Sequence, residues 1–159
     1  MAITRLGGAN AITGTIPTSV APGQGKVLQV SDMVITSSEQ TLATNTYTDL
    51  TSATISITPS SSSNKILLIA NINAKYHETT TGYGIKFSRN GGNIFTTSHD
   101  YAVLSKTAVQ RGMTYWNFID SPSSTSALTY RIQVASHDNN DIRFQNSAQT
   151  TFYAMEIEG

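Results

Sequence analysis

The chain has 159 residues, enough for one domain with a buried core, and its ten basic and ten acidic residues leave no net charge. A balanced charge argues against nucleic-acid binding, which needs a basic face, and the lack of cysteine excludes disulfides, thiolate metal sites and cysteine nucleophiles. The longest apolar run, residues 66–70, is far shorter than the roughly 20 residues that span a bilayer, so no membrane insertion is expected.

Residues 1–25 differ from the rest, since they hold five of the eleven glycines and two of the four prolines. Their apolar side chains are sparse: Ile3, Leu6, Ile12, Ile16 and Val20. The spacing of these residues fits neither a strand nor a helix, so the segment cannot build its own core. We interpret residues 1–25 as an extended arm that docks on a partner surface through these five side chains. The alternative is a tail that folds back on the domain formed by residues 26–159.

Residue 26 begins a succession of segments rich in β-branched and alternating apolar residues. The predicted strands, in chain order, are 26–35, 53–58, 65–76, 83–89, 93–98, 113–119, 127–136, 142–145 and 150–157. The first half of the segment 65–76 is apolar on both faces, which predicts a central strand covered on both sides. Residues 102–111 have the spacing of a helical turn at most.

The clearest turn signal lies between the segments 83–89 and 93–98. There Asn90-Gly91-Gly92 supplies the positive φ angles that a tight hairpin requires. Short strands at regular spacing, separated by polar turns, indicate an all-β sandwich or barrel. We predict a β-sandwich of the jelly-roll kind, whose two Greek keys manage the sheet edges.

Large aromatic and apolar residues are expected in the core or between subunits. Those on the two most aromatic strands are Trp116, Phe118, Phe152, Tyr153, Met155 and Ile157. In the last strand Tyr153, Met155 and Ile157 share one face, which we expect to meet the core. Phe152 on the opposite face then suits a subunit contact. For the aromatic residues, including Tyr83, Tyr101 and Tyr115, the alternative is a platform for sugar rings.

The three histidines each precede a carboxylate: His77-Glu78, His99-Asp100 and His137-Asp138. Adjacent strand residues point to opposite faces, so such pairs do not share a ligand, and we expect surface histidines. The alternative is a ring of His99 or His137 around a three-fold axis that binds a metal or an anion. Residues 138–141 are interpreted as a turn, because they lack the ligand spacing of a calcium loop. The sequence therefore predicts no catalytic residue, no metal site and no cofactor.

Two stretches carry a resemblance to a known group of proteins. The opening residues 1–17, followed by residues 21–30, resemble the starts of small structural proteins of tailed bacteriophages, closest to those of cyanophages and other marine or freshwater phages. Residues 57–67, 120–125 with Thr129 and Tyr130, and 155–159 also fit that group. The resemblance implies a virion protein with a trimeric jelly-roll module of the C1q/TNF-like kind, attached to the particle by its N-terminal segment.

Together these features predict a homotrimeric capsid decoration or cement protein that binds other virion proteins, first of all the major capsid protein. Three arms on one head give avidity, because the second and third docking events are intramolecular. The alternative is a short tail or head fibre, docked on a tail or neck protein, whose tip contacts host glycans. An enzyme, such as a polysaccharide depolymerase or a metal-dependent hydrolase, is the least favoured prediction. Both the decoration protein and the fibre would be located in the virion.

Overall fold

The computed structural model describes residues 25–36, 39–76, 82–102, 110–145 and 148–159. Within these ranges the chain forms ten strands and one 3₁₀ turn, His137–Asn139. The strands are β1 (Val27–Ile35), β2 (Gln40–Leu42), β3 (Thr48–Ile57), β4 (Lys65–Tyr76), β5 (Tyr83–Arg89), β6 (Gly92–Thr96), β7 (Gln110–Asp120), β8 (Leu128–Ser136), β9 (Ile142–Phe144) and β10 (Thr150–Ile157). Among the described residues, no helix has the length and apolar character that crossing a membrane requires.

The strands form two antiparallel sheets. In the first sheet, β10 lies between β1 and β4, and β7 pairs along the other edge of β4. The short β9 follows β10 along β4 and carries β2 on its far side. The second sheet has the order β3-β8-β5-β6. Without β2 and β9, the eight remaining strands form two four-stranded sheets, β1-β10-β4-β7 and β3-β8-β5-β6, which is the strand order of a jelly roll and confirms the predicted β-sandwich.

Side-chain alternation builds the core between the sheets, because every second residue of a strand points the same way. Strands β4 and β8 supply many of the core residues, all of them fully buried: Ile66, Leu68, Ala70, Ile72, Tyr130, Ile132 and Val134. The rings of Phe87 on β5 and Phe152 on β10 stack across the sandwich with centroids 5.9 Å apart and planes 4° from parallel. This stack connects the centres of the two sheets.

The predicted hairpin is confirmed. Strand β5 ends at Arg89 and β6 begins at Gly92, so Asn90 and Gly91 form a two-residue loop. Both have positive φ, 49° and 83°, as the tight turn requires. The Asn90 side chain also accepts a hydrogen bond from the backbone N–H of Thr129 at 2.9 Å, which fixes the turn against β8.

Two predictions about the surroundings of strand side chains are wrong. Phe152 is fully buried in the core rather than placed for a subunit contact, since it pairs in register with Met33 and Ala70 and stacks on Phe87. The first half of β4 is central, but among the described residues it is covered on one side only. Leu67 and Ile69 are half-buried on the outer side of the first sheet, and within the described residues no element packs over them.

Candidate functional site

The outer side of the first sheet carries an apolar surface across four adjacent strands. Cross-strand register aligns one aliphatic side chain from each strand in a single row: Val30, Met155, Leu67 and Ile119. The next row contains Tyr153 and Ile69 at its centre, between Asp32 and Asn117. The third row ends at Tyr115 on β7. We call the outward side of β1, β10, β4 and β7 the apolar face.

The exposed large hydrophobic side chains are concentrated on the first sheet. Of the large hydrophobic side chains exposed in the described chain, all but Tyr101 belong to β1 or β7: Val27, Leu28, Val30, Val34, Met113, Tyr115 and Ile119. Val30 is 53% exposed and Ile119 59%, at the two ends of the aliphatic row. A contiguous exposed apolar surface of this kind is typical of an interaction site rather than of a free surface.

The residues predicted for core or interface divide between the two sides of the sheet. Trp116 and Phe118 point inward from β7 and pack, partly buried, against the core. Phe152 is a core residue. Tyr153, Met155 and Ile157 lie half-buried on the apolar face, not in the core as predicted. The face assignment within β10 is therefore the reverse of the prediction.

Two buried amide oxygens lie on the outward side of β4. Asn71 Oδ1 and Asn73 Oδ1 are inaccessible to solvent and have no hydrogen-bond partner among the described residues. Asn71 pairs in register with Tyr115 and Thr151, so its side chain belongs to the third row of the apolar face. Unsatisfied buried acceptors cost free energy.

A buried carboxylate fastens one end of the sandwich. Glu156 on β10 is fully buried and accepts hydrogen bonds from Asn64 Nδ2 and Gln29 Nε2, both at 2.6 Å. The backbone N–H and the hydroxyl of Ser60 donate at 2.6 and 2.8 Å. Burial alone would raise the pKa of Glu156, but these hydrogen bonds outweigh it and lower the pKa to about 2. The charge stabilises the structure and is fully enclosed by the protein's own donors.

A second buried acid, Asp120, also has partners within the protein. Nη1 of Arg89 lies 2.8 and 2.7 Å from its two carboxylate oxygens, and Tyr130 donates its hydroxyl at 2.7 Å. Burial, followed by the hydrogen bond to Asp120, raises the pKa of Tyr130. This cluster joins β5, β7 and β8 and holds the two sheets together at the end of the β5–β6 hairpin.

The histidines form no metal centre in the part of the chain that the structure describes, where no group of three metal-binding side chains occurs. His99 packs its ring on Tyr47 with centroids 5.1 Å apart. A hydrogen bond from Ser98 is the main cause that lowers the pKa of Asp100, with smaller contributions from His137 and His99. His77 lies outside the described residues. Asn139 accepts a hydrogen bond from the backbone N–H of Asn45 at 2.8 Å, as expected of a turn residue.

The five predicted arm residues, Ile3, Leu6, Ile12, Ile16 and Val20, lie outside the described residues. The described chain begins at Gly25, whose N–H donates to the carbonyl of Glu158 at 3.3 Å. The N–H of Glu158 donates in turn to the carbonyl of Lys26 at 2.9 Å. The described chain therefore begins beside the last residues of β10.

No protein-family model matches the chain, and no curated protein matches it. Similar solved structures include dimeric latent PorU from Porphyromonas gingivalis, at 15% identity and a TM-score of 0.36, covering 86% of this chain and 14% of that chain. The structure of infectious bursal disease virus, Gx strain, is similar at 12% identity and a TM-score of 0.42, covering 86% and 38%. The VP2 subviral particle of the same virus is similar at 8% identity and a TM-score of 0.36, covering 84% and 39%. The chain thus spans well under half of each structure, and similarity at this level assigns it no activity.

Proposed function

We propose that the chain is a virion structural protein of a tailed bacteriophage, a homotrimer whose N-terminal arms attach it to the capsid as a decoration protein. The observation that carries the proposal is the apolar face on the outer side of the first sheet. The sequence resemblance of residues 1–30 to small phage structural proteins supports the virion location. The major capsid protein is the proposed partner of Ile3, Leu6, Ile12, Ile16 and Val20.

The apolar face favours a second copy of this chain as its partner. Removal of apolar surface from water contributes about 25 cal/mol per Å², and the aliphatic row offers such surface from four strands at once. Closed rotational symmetry makes the assembly self-limiting, and three copies follow from the resemblance to jelly-roll modules that form trimers.

The role we propose is structural rather than catalytic. The buried ionisable groups that would be candidates for chemistry, Glu156, Asp120 and Tyr130, are held by hydrogen bonds from the protein itself. Each of these contacts joins strands or fastens a loop, which explains the burial of the groups without a substrate.

The trimer is tested by placing a charge on the apolar face. Replacing Ile119 by Lys should weaken association about 100-fold or more, because a buried unpaired charge costs several kcal/mol and 1.4 kcal/mol corresponds to tenfold. Light scattering after size exclusion should give three times 17.1 kDa for the natural chain and the mass of one chain for the variant.

Ser56→Lys is the matched control, since Ser56 is exposed on β3 of the second sheet. This variant should remain trimeric. A natural chain that is a monomer at micromolar concentration would contradict the proposed trimer, and an unchanged trimer for Ile119→Lys would place the contact elsewhere.

Attachment to the particle is tested by truncation and by stoichiometry. A chain starting at residue 26 should remain trimeric. It should no longer bind to virions prepared without this protein, because the arm makes the docking contact. Quantitative mass spectrometry of purified virions should find the protein in proportion to the capsid subunits. A copy number in proportion to the tail or head fibres would favour the fibre instead, and binding of the truncated chain to particles would exclude the docking arm.

A further inference from the structure

An open cleft lies beside the apolar face, at the edge of the sandwich. It is bounded by the end of β6, the residues that follow it, and β7, and it has a volume of about 510 Å³. Ligand pockets typically measure roughly 300–1,000 Å³, so the cleft has room for a small organic ligand. Tyr101, Tyr115 and Trp116 line it.

Two of the three aromatic rings, Trp116 and Tyr101, are held in place without a ligand. Trp116 donates its Nε1–H to Thr114 Oγ1 at 2.8 Å, which fixes the plane of the indole ring. Tyr101 packs against it with ring centroids 5.7 Å apart and planes at 48°. Tyr101 is nevertheless 69% exposed and Tyr115 73%, and both line the cleft. Tyr115 leaves β7 on the outer side of the sheet and Trp116 on the inner side, so the cleft follows the edge of β7 between them. Preformed rings reduce the entropy that binding must offset.

The polar groups of the cleft are neutral. The exposed amide of Asn117 makes no hydrogen bond to any described residue and can both donate and accept. The Thr96 hydroxyl donates to Asn93 Oδ1 at 2.7 Å, which leaves its oxygen able to accept. Among the described residues that line the cleft, none has a charged side chain.

We propose that this cleft binds a neutral saccharide. A sugar ring has a face of C–H groups that packs on aromatic rings, and a rim of hydroxyls that both donate and accept hydrogen bonds. Tyr101, Tyr115 and Trp116 fit the first feature, and Asn117 with Thr96 fits the second. An anionic ligand would lack a cationic partner among the described lining residues, and a purely apolar ligand would leave Asn117 unsatisfied.

The site goes beyond the proposed attachment to the particle and does not depend on it. Tyr101 belongs to the residues after β6 and Trp116 packs against the core, so neither lies on the apolar face, whereas Tyr115 and Asn117 also end two of its rows on β7. The saccharide site therefore requires that the subunit contact leave Tyr115 and Asn117 uncovered. Three copies in a trimer would give avidity for a surface that carries many saccharides. The proposed trimer raises the avidity of binding, whereas each cleft binds by itself.

The test uses the full chain on an array of neutral, sialylated and sulfated glycans, followed by calorimetric titration with the best neutral glycan on the array. We expect binding to neutral glycans. Tyr101→Ala should weaken affinity about tenfold, because one ring contact contributes about 1.4 kcal/mol at most. Asn117→Ala should weaken it severalfold, while Tyr101→Phe should retain most of the affinity because it keeps the ring.

Ser56→Ala is the control, since Ser56 is exposed on β3 of the second sheet, outside both the cleft and the apolar face. Its affinity should equal that of the natural chain, and circular dichroism should show the same melting for all variants.

Three results would overturn the saccharide site: no binding to any neutral glycan, a requirement for sialylated or sulfated glycans, or unchanged affinity in Tyr101→Ala. A loss of trimer mass in Tyr101→Ala, without saccharide binding by the natural chain, would assign the cleft to the subunit contact instead. Particle attachment is measured separately, so its failure and the failure of this site are distinguishable.

Discussion

Replacing Glu156 by Ala should lower the free energy of unfolding by about 3–5 kcal/mol, because it leaves buried donors without an acceptor. Asn64, Gln29 and Ser60 together donate four hydrogen bonds to this carboxylate. They belong to β1 and to the loop between β3 and β4, so the carboxylate fastens both to β10. Urea denaturation of the natural chain and the variant measures the difference.

Glu158→Ala is the control for Glu156→Ala, since it removes an acid two residues further along that is less buried. It should change the free energy of unfolding by less than about 0.5 kcal/mol. A similar loss in both variants would contradict the role of the hydrogen-bonded carboxylate. Glu156→Gln tests charge at nearly constant volume, and it should also destabilise because its amide N–H₂ meets groups that are themselves donors.

The same carboxylate predicts a pH dependence. The folded-state pKa of Glu156, about 2, is below its ordinary value of 4.5, so its contribution is fully present above pH 4.5. That contribution is lost as the pH falls from 4.5 towards 2, and it amounts to about 3 kcal/mol. Denaturation midpoints measured across this range should fall for the natural chain and change less for Glu156→Gln. Parallel curves for the two proteins would show that other groups cause the acid sensitivity.

Local patterns were sufficient to predict most strands. The predicted ranges 65–76 and 150–157 are those of β4 and β10, because each is a run rich in apolar residues with polar residues before it and after it. The Asn90-Gly91 turn follows from backbone sterics alone. By contrast, β2 has only three residues, too few to show a period. The first half of β3 is polar, and Ser52 there has a φ of 64° where the pairing with β8 shifts register.

Alternation alone did not predict which side of a strand points into the core. It shows which residues share a side but not which side is inward. Both faces of β10 are apolar, and Glu156 on the Phe152 side suggests solvent when the sequence is considered alone. The buried position of Glu156 depends on donors from Gln29, Ser60 and Asn64, which are distant in sequence. Tertiary hydrogen bonds of this kind leave no local signal.

The cleft also depends on residues that are distant in sequence, so no local pattern predicts it. Thr96 and Tyr101 reach it from the end of β6 and the residues that follow, whereas Tyr115, Trp116 and Asn117 come from β7. The sequence singles out the aromatic residues as a group, with a saccharide platform as one interpretation. Only the pairing of β7 with β4 and of β6 with β5 brings the two edges together around them.

Phe152→Ala and Tyr153→Ala should separate the two sides of β10. Phe152 is fully buried and stacked on Phe87, so its truncation should cost about 3–5 kcal/mol of unfolding free energy. Tyr153 lies half-buried on the apolar face, so its truncation should cost about 1 kcal/mol or less in a single chain and should mainly weaken association.

Association adds to apparent stability and makes it depend on protein concentration, so both substitutions are best made in the monomeric Ile119→Lys background. Chemical denaturation there reports the fold alone, and light scattering in the natural background reports assembly. A larger loss of fold stability for Tyr153→Ala than for Phe152→Ala would contradict the facing of β10. Equal association of the natural chain and Tyr153→Ala would remove this tyrosine from the subunit contact and restrict the contact to the aliphatic row.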